Sequence, residues 1–588
     1  PHTMELDAQL QQAGIARDHP RTTAALDLYR RIYGLPRHLG QHSGGMIICE
    51  GQLSGIVPLE NARMPGRVVA QWDKDDCEDL GIVKVDFLGL GMMAVLQDTF
   101  KLCAERGGPA DLHLIPQDDP ATFEAMCRAD TIGVFQIESR AQMATLPRLR
   151  PQCFYDVAMQ VAIVRPGPIV GKLVHPLIRR RAREEADVYI DESLNEILKP
   201  ILERTHGVVL FQEQMLSVAM TLAGFSGSEA EELRRAMGFH RSSERLERVL
   251  LKLRLALHAH GHRPAVAEKV VETACSFALY GFPESHALSF ALLAYASTWL
   301  KVHRPAEFCA GLLNHQPMGF YSPATLVQDA RRHGVRVRPV CVVASDWPCT
   351  VETTGTLRIG LNYVKGLRHS TVEAMLHTRR QQPFTSLNDF LARTLFTATE
   401  RRALASVGAL NAFTDHRRAA LWQVETAWSV EESLFLMSAD GSVAAPSPLP
   451  PMTLSERQQA DFTGLSLTNG SHPMARIRSQ LPDVWRAADL PLGRDGEGVT
   501  VAGSVICRQR PGTAKGFVFV SLEDETGIAN AVVRPQWFER YRRVINEEPA
   551  LKIVGRLQNR AGVIHVQAET IAPLNFTDLP AQASHDFH

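Results

Sequence analysis

The chain has 588 residues, 45% hydrophobic and 22% charged, enough for about four buried cores by length alone, which argues against a single compact domain. A formal net charge of -1 excludes a uniformly basic nucleic-acid coat, so any nucleic-acid site must be regional. Ten cysteines without a CxxC pair or a zinc-like Cys/His spacing suit a reducing cytoplasm, while no apolar run reaches membrane-span length and Pro1 to Gln12 has no signal-peptide core.

The opening, PHTMELDAQLQQAG, starts in mid-amphipathic pattern, as though an upstream piece had been removed. The first hundred or so residues then mix a short helix with the strand-like runs GGMIICE and LGIVKVDFL, an α+β pattern. In GIVKVDFLG a period of two puts Ile82, Lys84 and Asp86 on one strand face and Val83, Val85 and Phe87 on the other. That face reads either as a structural ion pair or as a metal-binding carboxylate beside a phosphate-facing lysine. A buried carboxylate needs a cation in both cases, and Mg²⁺, with its oxygen ligands and substrate phosphates, would serve.

From Asp111 to Phe308 the periodicity is helical. Within it, AIVRPGPI sets Arg165 before a stiff Pro166-Gly167-Pro168 turn, as a structural arginine or a ligand-facing one. SGSEAEELRRAMG reads as a helix capped by Ser228 and ended by Gly238, with Arg234 and Arg235 in its last turn and His240 and Arg241 beyond. Those cations either complement the helix dipole or bind a triphosphate through paired guanidiniums.

A short strand-rich insert, VRVRPV and TLRIGLNYV, leads into two helix-turn-helix units ending near Phe413. LNYVKGLRHSTVEAML has the helix-hairpin-helix layout, in which the turn at Lys365 and Gly366 presents backbone N–H groups to a DNA phosphate; SVGALNAF, around Gly408, is the candidate second hairpin. SADGSVAAPSPLPPM reads as a linker. Beyond it, five alternating runs from Gly498 to Leu574, with PQWFERYRRVI as a helix after the third or fourth, fit a closed OB-type barrel. There Arg508, Arg510, Lys515, Phe517 and Phe519 interleave basic and aromatic residues as a single-strand binder does, with barrel core as the alternative for at least one phenylalanine. No GxxxxGK[ST] or GxGxxG element occurs, so nucleotide hydrolysis and dinucleotide chemistry have no support.

In order, QHSGGMII, QWDKDD, LGIVKVDFLGLGMM, GVFQIESR, RPGPI, THGVVLFQEQ, LRRAMG and YGFPESHALSFALLAYASTWLKVHRPAEF resemble the alpha subunit of bacterial DNA polymerase III and its C-family relatives, over nearly the whole chain. The resemblance implies a multidomain α+β protein: the end of a thumb and a palm remnant over 1–110, mainly helical fingers over 111–340, a strand-rich insert and tandem helix-hairpin-helix over 341–425, a linker region over 426–497, a C-terminal OB-fold β-barrel over 498–575 and a tail over 576–588. It also implies template-directed DNA synthesis from deoxynucleoside triphosphates with two Mg²⁺ ions held by three palm aspartates.

Asp86 matches the third of those aspartates and Lys84 the basic residue beside it, so both are expected at the catalytic centre. Arg165, Arg234 and Arg235 match nucleotide-facing positions, and Gln136, Glu138, Gln212, Glu213, His286 and Lys301 match other fingers residues. The family's remaining two aspartates lie in a PDIDVDF-like motif that is not found between Pro1 and His588, so the chain alone is expected not to polymerise DNA. Arg368 stands where the first hairpin's second glycine is usual, and only Leu434 and Phe435 of SVEESLFLM suggest a clamp-binding peptide. That poor peptide match favours the error-prone branch, as does a chain end at SHDFH that leaves no room after the OB-like domain for the further C-terminal domain of replicative alpha subunits. The error-prone branch implies damage-induced mutagenesis and translesion synthesis, primer-template DNA as partner, and a Y-family-like accessory protein for clamp access. A non-catalytic DNA-binding remnant and a replicative alpha-subunit fragment are the alternatives.

Overall fold

The computed structural model describes residues 19–32, 35, 45–62, 66–87, 89–164, 174–238, 243–278, 282–431, 447–511, 514, 516–574, 584 and 586. They form two units, Pro1–Leu88 and Gly89–His588.

In the first unit the two alternating runs pair with each other. β1 (Gly45–Ile48) runs antiparallel to β4 (Val83–Asp86), with Gly45 opposite Asp86 and Ile47 opposite Lys84. Between them in sequence, β2 (Leu59–Asn61) and β3 (Val68–Ala70) make a second two-stranded ribbon. Two helices, Pro20–Ile32 and Lys74–Asp79, accompany the strands. Few apolar side chains of this unit are buried: Val57 and Cys77 are, whereas Met46, Ile48, Val68 and Val83 are all more than half exposed.

The second unit is built on the Glu284–His303 helix, buried along most of its length. Its small residues Ala287, Ala291, Ala294 and Ala296 let the Phe154–Ile163 and Pro120–Cys127 helices lie close against it. The Leu90–Ala104 helix packs on Pro305–Asn314 at Gly311, where an added Cβ would come within 2.3 Å of the Thr99 hydroxyl. This helix, expected before the boundary at 110, therefore belongs to the second unit; Val95, Leu96, Phe100 and Cys103 are buried there. A separate core joins the helices Asn195–Leu202, Gln212–Ala223, Gly227–Gly238, Ser243–Ala259 and Pro264–Ala278 through Leu198, Met215, Leu233, Leu253 and Val270. The cap of Gly227–Gly238 is Ser226, not Ser228: the Ser226 N–H and hydroxyl donate to Glu229, whose own N–H donates back to the Ser226 oxygen.

Three short strands, β5 (Val337–Arg338), β6 (Thr350–Val351) and β7 (Leu357–Arg358), form a sheet in the order β5-β7-β6. The helices His369–Gln381, Leu387–Arg393 and Ala398–Ser406 follow around an aromatic cluster of Phe384, Phe390, Phe396 and Phe413. Of the expected linker region, residues 432–446, with Leu434 and Phe435, lie outside the described residues.

The last strands, β8 (Gly498–Gln509), β9 (Val518–Glu523), β10 (Ile528–Val533), β11 (Ala550–Arg560) and β12 (Val563–Pro573), close into a barrel in the order β10-β12-β11-β8-β9. The Pro535–Glu547 helix follows the third of these strands. Val518, Val520 and Leu522 fill the interior together with Val501, Val505, Ile553 and Val566. Period-two alternation thus turns Phe517 and Phe519 outward, each half-buried, and neither is barrel core.

Candidate nucleic-acid interface

The strand β4 sets Lys84 and Asp86 two residues apart, on one face by its pleat, with Lys84 exposed. The Asp86 side chain is outside what is described, as are Arg165, His240, Arg241 and Lys515. The nearby Asp73 and Asp76 are engaged with each other's backbone at the start of the Lys74–Asp79 helix, Asp73 accepting from the Asp76 N–H at 2.9 Å and Asp76 from the Asp73 N–H at 3.2 Å. Asp86 is the acidic residue of this strand by sequence.

On Gly227–Gly238, Arg234 and Arg235 converge on one carboxylate. Arg234 grips Glu231 in a bidentate pair, 2.8 Å at both nitrogens, and the Arg235 Nε donates to the same side chain at 3.1 Å. Hydrogen bonds from Arg234 and then Arg235 hold the Glu231 carboxyl down at about 2. Both guanidiniums thus bond the Glu231 carboxylate on a partly exposed helix face.

Of the other fingers residues, Glu138 and Lys301 are buried, Gln136 and Gln212 half-buried, and Glu213 and His286 exposed. Glu138 is buried and accepts the Gly133 and Phe320 N–H groups at 2.9 and 3.2 Å. Burial pushes its carboxyl up to about 7, against the pull of those two donors. Together with Phe135, Gln136, Ser139 and Gln142 it lines a cavity of about 480 Å³. Glu213 accepts the Glu284 N–H at 2.9 Å, and His286 stacks between Phe282 and Phe290. Lys301 is buried, its ammonium 2.8 Å from Asp329, 3.1 Å from Asp130 and 3.0 Å from the Ile132 carbonyl. Among the described residues, the group of three potential metal ligands is Asp130, Asp329 and His333, and the Lys301 ammonium is the cation between its carboxylates.

The two candidate hairpins differ. Gly366 has φ +87° and, with Lys365, is exposed, but the N–H groups expected to face a phosphate are mostly taken within the chain. The Lys365 N–H donates to the Gly464 carbonyl, and the Arg368 N–H to Glu400 at 3.1 Å; the Arg368 guanidinium clasps Glu400 with two bonds of 3.0 Å. Arg368 thus closes the turn with a carboxylate. Gly408, φ +81°, is buried beside the Leu454–Leu465 helix, whose Gly464 would meet Val407 at 2.4 Å if it carried a Cβ. Its turn is not exposed to DNA.

On the barrel, Arg510 is exposed and lies over the Phe538 ring at 4.6 Å, and Phe517 is half-buried. Arg508, expected beside them, is 9% exposed, its guanidinium donating to the Ile545 and Glu548 carbonyls, Ser584 and Asp586. A register irregularity between Val505 and Cys507 interrupts the alternation that would have turned it outward. The residue the sequence did not single out is Arg140, in the motif GVFQIESR: it lines a cleft between its own helix and the barrel. No periodicity marks it, since its partners are far along the chain.

Four family models match in order: the bacterial DNA polymerase III alpha NTPase domain over residues 2–89, the bacterial DNA polymerase III alpha subunit finger domain over 92–255, a helix-hairpin-helix motif over 334–420 and an OB-fold nucleic acid binding domain over 499–574. The chain is 45% identical over 602 residues to an error-prone DNA polymerase of Azoarcus sp. (strain BH72), covering 99% of this chain and 56% of the relative. It is 43% identical over 591 residues to one of Dechloromonas aromatica (strain RCB), covering 99% and 57%, and 45% identical over 579 to one of Pseudomonas savastanoi pv. phaseolicola, covering 96% and 55%. The chain therefore spans just over half the length of the curated relatives it matches. These matches run in order along nearly all of the chain, which is similar to the bacterial DNA polymerase III alpha subunit over residues 2–89 and 92–255 and to error-prone DNA polymerases over 96–99% of its length.

Proposed function

We propose that this chain is the nucleotide- and DNA-handling part of a template-directed DNA polymerase, as its relatives' name, error-prone DNA polymerase, suggests, and that it acts in damage-induced mutagenesis and translesion synthesis. The observation that carries the reading is the Arg234–Arg235 pair on a partly exposed helix face, where both guanidiniums bond Glu231. A deoxynucleoside triphosphate brings several negative charges and displaces that one carboxylate, so the two guanidiniums bind and orient it. Arg165 and Lys84 are the further phosphate-facing cations of this reading. The exposed Lys365 and Gly366 and the barrel residues Arg510, Lys515 and Phe517 track the DNA backbone and its bases. Arg508 is left out of that surface, because its donors are taken up inside the barrel domain.

Asp86 is the ligand this chain offers to Mg²⁺, which in such enzymes activates the attacking hydroxyl and stabilises the leaving pyrophosphate. Two ions need more carboxylates than Asp86 supplies, so the chain alone does not extend a primer. A non-catalytic DNA-binding role is the second reading, favoured by that lone carboxylate. The test is binding to this chain of a fluorescent primer-template and of a fluorescent deoxynucleoside triphosphate, with Arg234→Ala/Arg235→Ala as the variant. Loss of nucleotide binding with DNA binding kept supports the polymerase reading; DNA binding without any nucleotide binding in the unaltered chain favours the second.

A further inference from the structure

The cleft between the Arg140–Leu149 helix and the barrel has about 590 Å³ of space, within the range of sites for a small ligand. Arg140, Met143, Gln509, Phe519, Asn530 and His565 are among the residues that line it. The helix side and the barrel side are held in register at the closed end, where the turn at Gly562 lies so near Pro147 that an added Cβ would be 3.0 Å from it. On the barrel side, Gln509, Phe519 and Val532 sit opposite one another across β8, β9 and β10, a row on the outer surface of the second and third barrel strands. That surface is where OB-folds take oligonucleotides.

Arg140 is the unusual group. It is part-buried, yet among the described residues its guanidinium makes no ion pair, and its buried Nε has no hydrogen-bond partner. Among the described residues, each other cation argued from above has a carboxylate or carbonyl partner, or is exposed. A buried guanidinium without a partner carries a desolvation cost that an anion would relieve. Its field is felt within the cleft: His565 is held below its ordinary value, first by burial and then by the charge of Arg140. Two side-chain amides, Gln509 and Asn530, add neutral hydrogen-bonding capacity, and Phe519 and Met143 offer an aromatic face and a soft apolar wall.

We propose that this cleft is a phosphate-ester site, in which Arg140 binds the phosphate and Phe519 with Met143 receives the attached base. The fingers helix and the barrel then grip one nucleotide between them. The proposal rests on the DNA-handling reading above and adds to it a residue outside the barrel. The ligand is either a nucleotide of a single DNA strand or a free nucleotide, and the same chemistry serves both.

The test uses the full chain with a fluorescent oligothymidylate, read by anisotropy between 50 and 200 mM salt, and with thymidine monophosphate as a competitor. Arg140→Gln is expected to weaken oligomer binding about tenfold and to remove one phosphate contact, so that affinity falls with salt about 2- to 3-fold less steeply over that range. Arg140→Lys retains most of the binding. Should Arg140→Gln fail to fold, Asn530→Asp, which keeps the acceptor for the Ser521 hydroxyl while placing a carboxylate in the cleft, weakens binding similarly. Competition by thymidine monophosphate that is lost in Arg140→Gln, with oligomer binding unaffected by the variant, assigns the site to a free nucleotide. Unchanged oligomer and monophosphate binding in both variants overturns the proposal, whereas failure of the unaltered chain to bind any oligomer removes the DNA-handling reading itself.

Discussion

Lys301→Met removes the ammonium that joins two carboxylates inside the helical body. In the folded chain Lys301, 4% exposed, lies 2.8 Å from Asp329 and 3.1 Å from Asp130, and donates to the Ile132 carbonyl. Methionine fills much the same volume, so the lost packing is small and the consequence is electrostatic. Breaking a buried pair by removing one partner costs about 3–5 kcal/mol, because the other charge is left uncompensated. His333 is the remaining cation, 2.7 Å from Asp130 and 3.7 Å from Asp329.

The hydrogen bond to Asp130, first among its surroundings, raises His333 above its ordinary value, against the effect of burial. A raised folded-state value means that this histidine's contribution is full below about pH 6.5 and is lost as pH rises through the folded value. The variant should therefore lose about 3 kcal/mol at pH 6 and nearer 5 at pH 9. Urea unfolding followed by circular dichroism, with hydrogen exchange on the Glu284–His303 and Pro323–Arg332 helices, reads the loss. A loss under about 1 kcal/mol at both pH values, the level of an exposed pair, refutes the reasoning.

Burial raises Glu138 to about 7, so its contribution to stability is present below about pH 4.5 and is lost as pH rises through 7; the unaltered chain should lose roughly 3 kcal/mol over that window from this group, and Glu138→Gln should flatten the dependence. An identical pH profile for the variant, measured by urea unfolding, excludes it. Gly311→Ala drives a Cβ toward the Thr99 hydroxyl, 2.3 Å away in the unrelaxed geometry, and should cost about 1–3 kcal/mol; a thermal melt with no change shows that the two helices part freely. Glu400→Ala removes the acceptor for the Thr397 cap and for Arg368 and should cost about 1–2 kcal/mol, with exchange protection lost first at the exposed hairpin turn.

The parts of this molecule legible in the sequence are those whose signal is local. Alternation in GFVFVSLED marks a strand, though not which of its faces is core, and the Gly227–Gly238 helix is legible although its cap is Ser226 rather than the expected Ser228. What was not legible depends on segments far apart. Arg508 reads as a solvent-facing strand cation until a register irregularity and two residues near the end of the chain, Ser584 and Asp586, enclose it. Gly408 carries every mark of an exposed hairpin turn and is covered by the Arg417 side chain, 2.7 Å from where its Cβ would stand, while the Leu454–Leu465 helix packs on the neighbouring Val407. Leu90–Ala104 reads as the end of the first domain, and only the approach at Gly311 assigns it to the second unit. Lys301 sits in a family motif, but its role as the cation between Asp130 and Asp329 depends on groups 171 and 28 positions away (301 − 130 and 329 − 301).

The central claim is that this chain supplies the nucleotide-handling half of a DNA polymerase. It is tested most directly by primer extension with the chain joined to the upstream segment of its Azoarcus relative, in the presence of Mg²⁺. The account predicts extension by the joined protein, none by the chain alone, and loss of extension in Asp86→Asn with primer-template binding retained. Extension by the unjoined chain, or undiminished extension by Asp86→Asn, would contradict it.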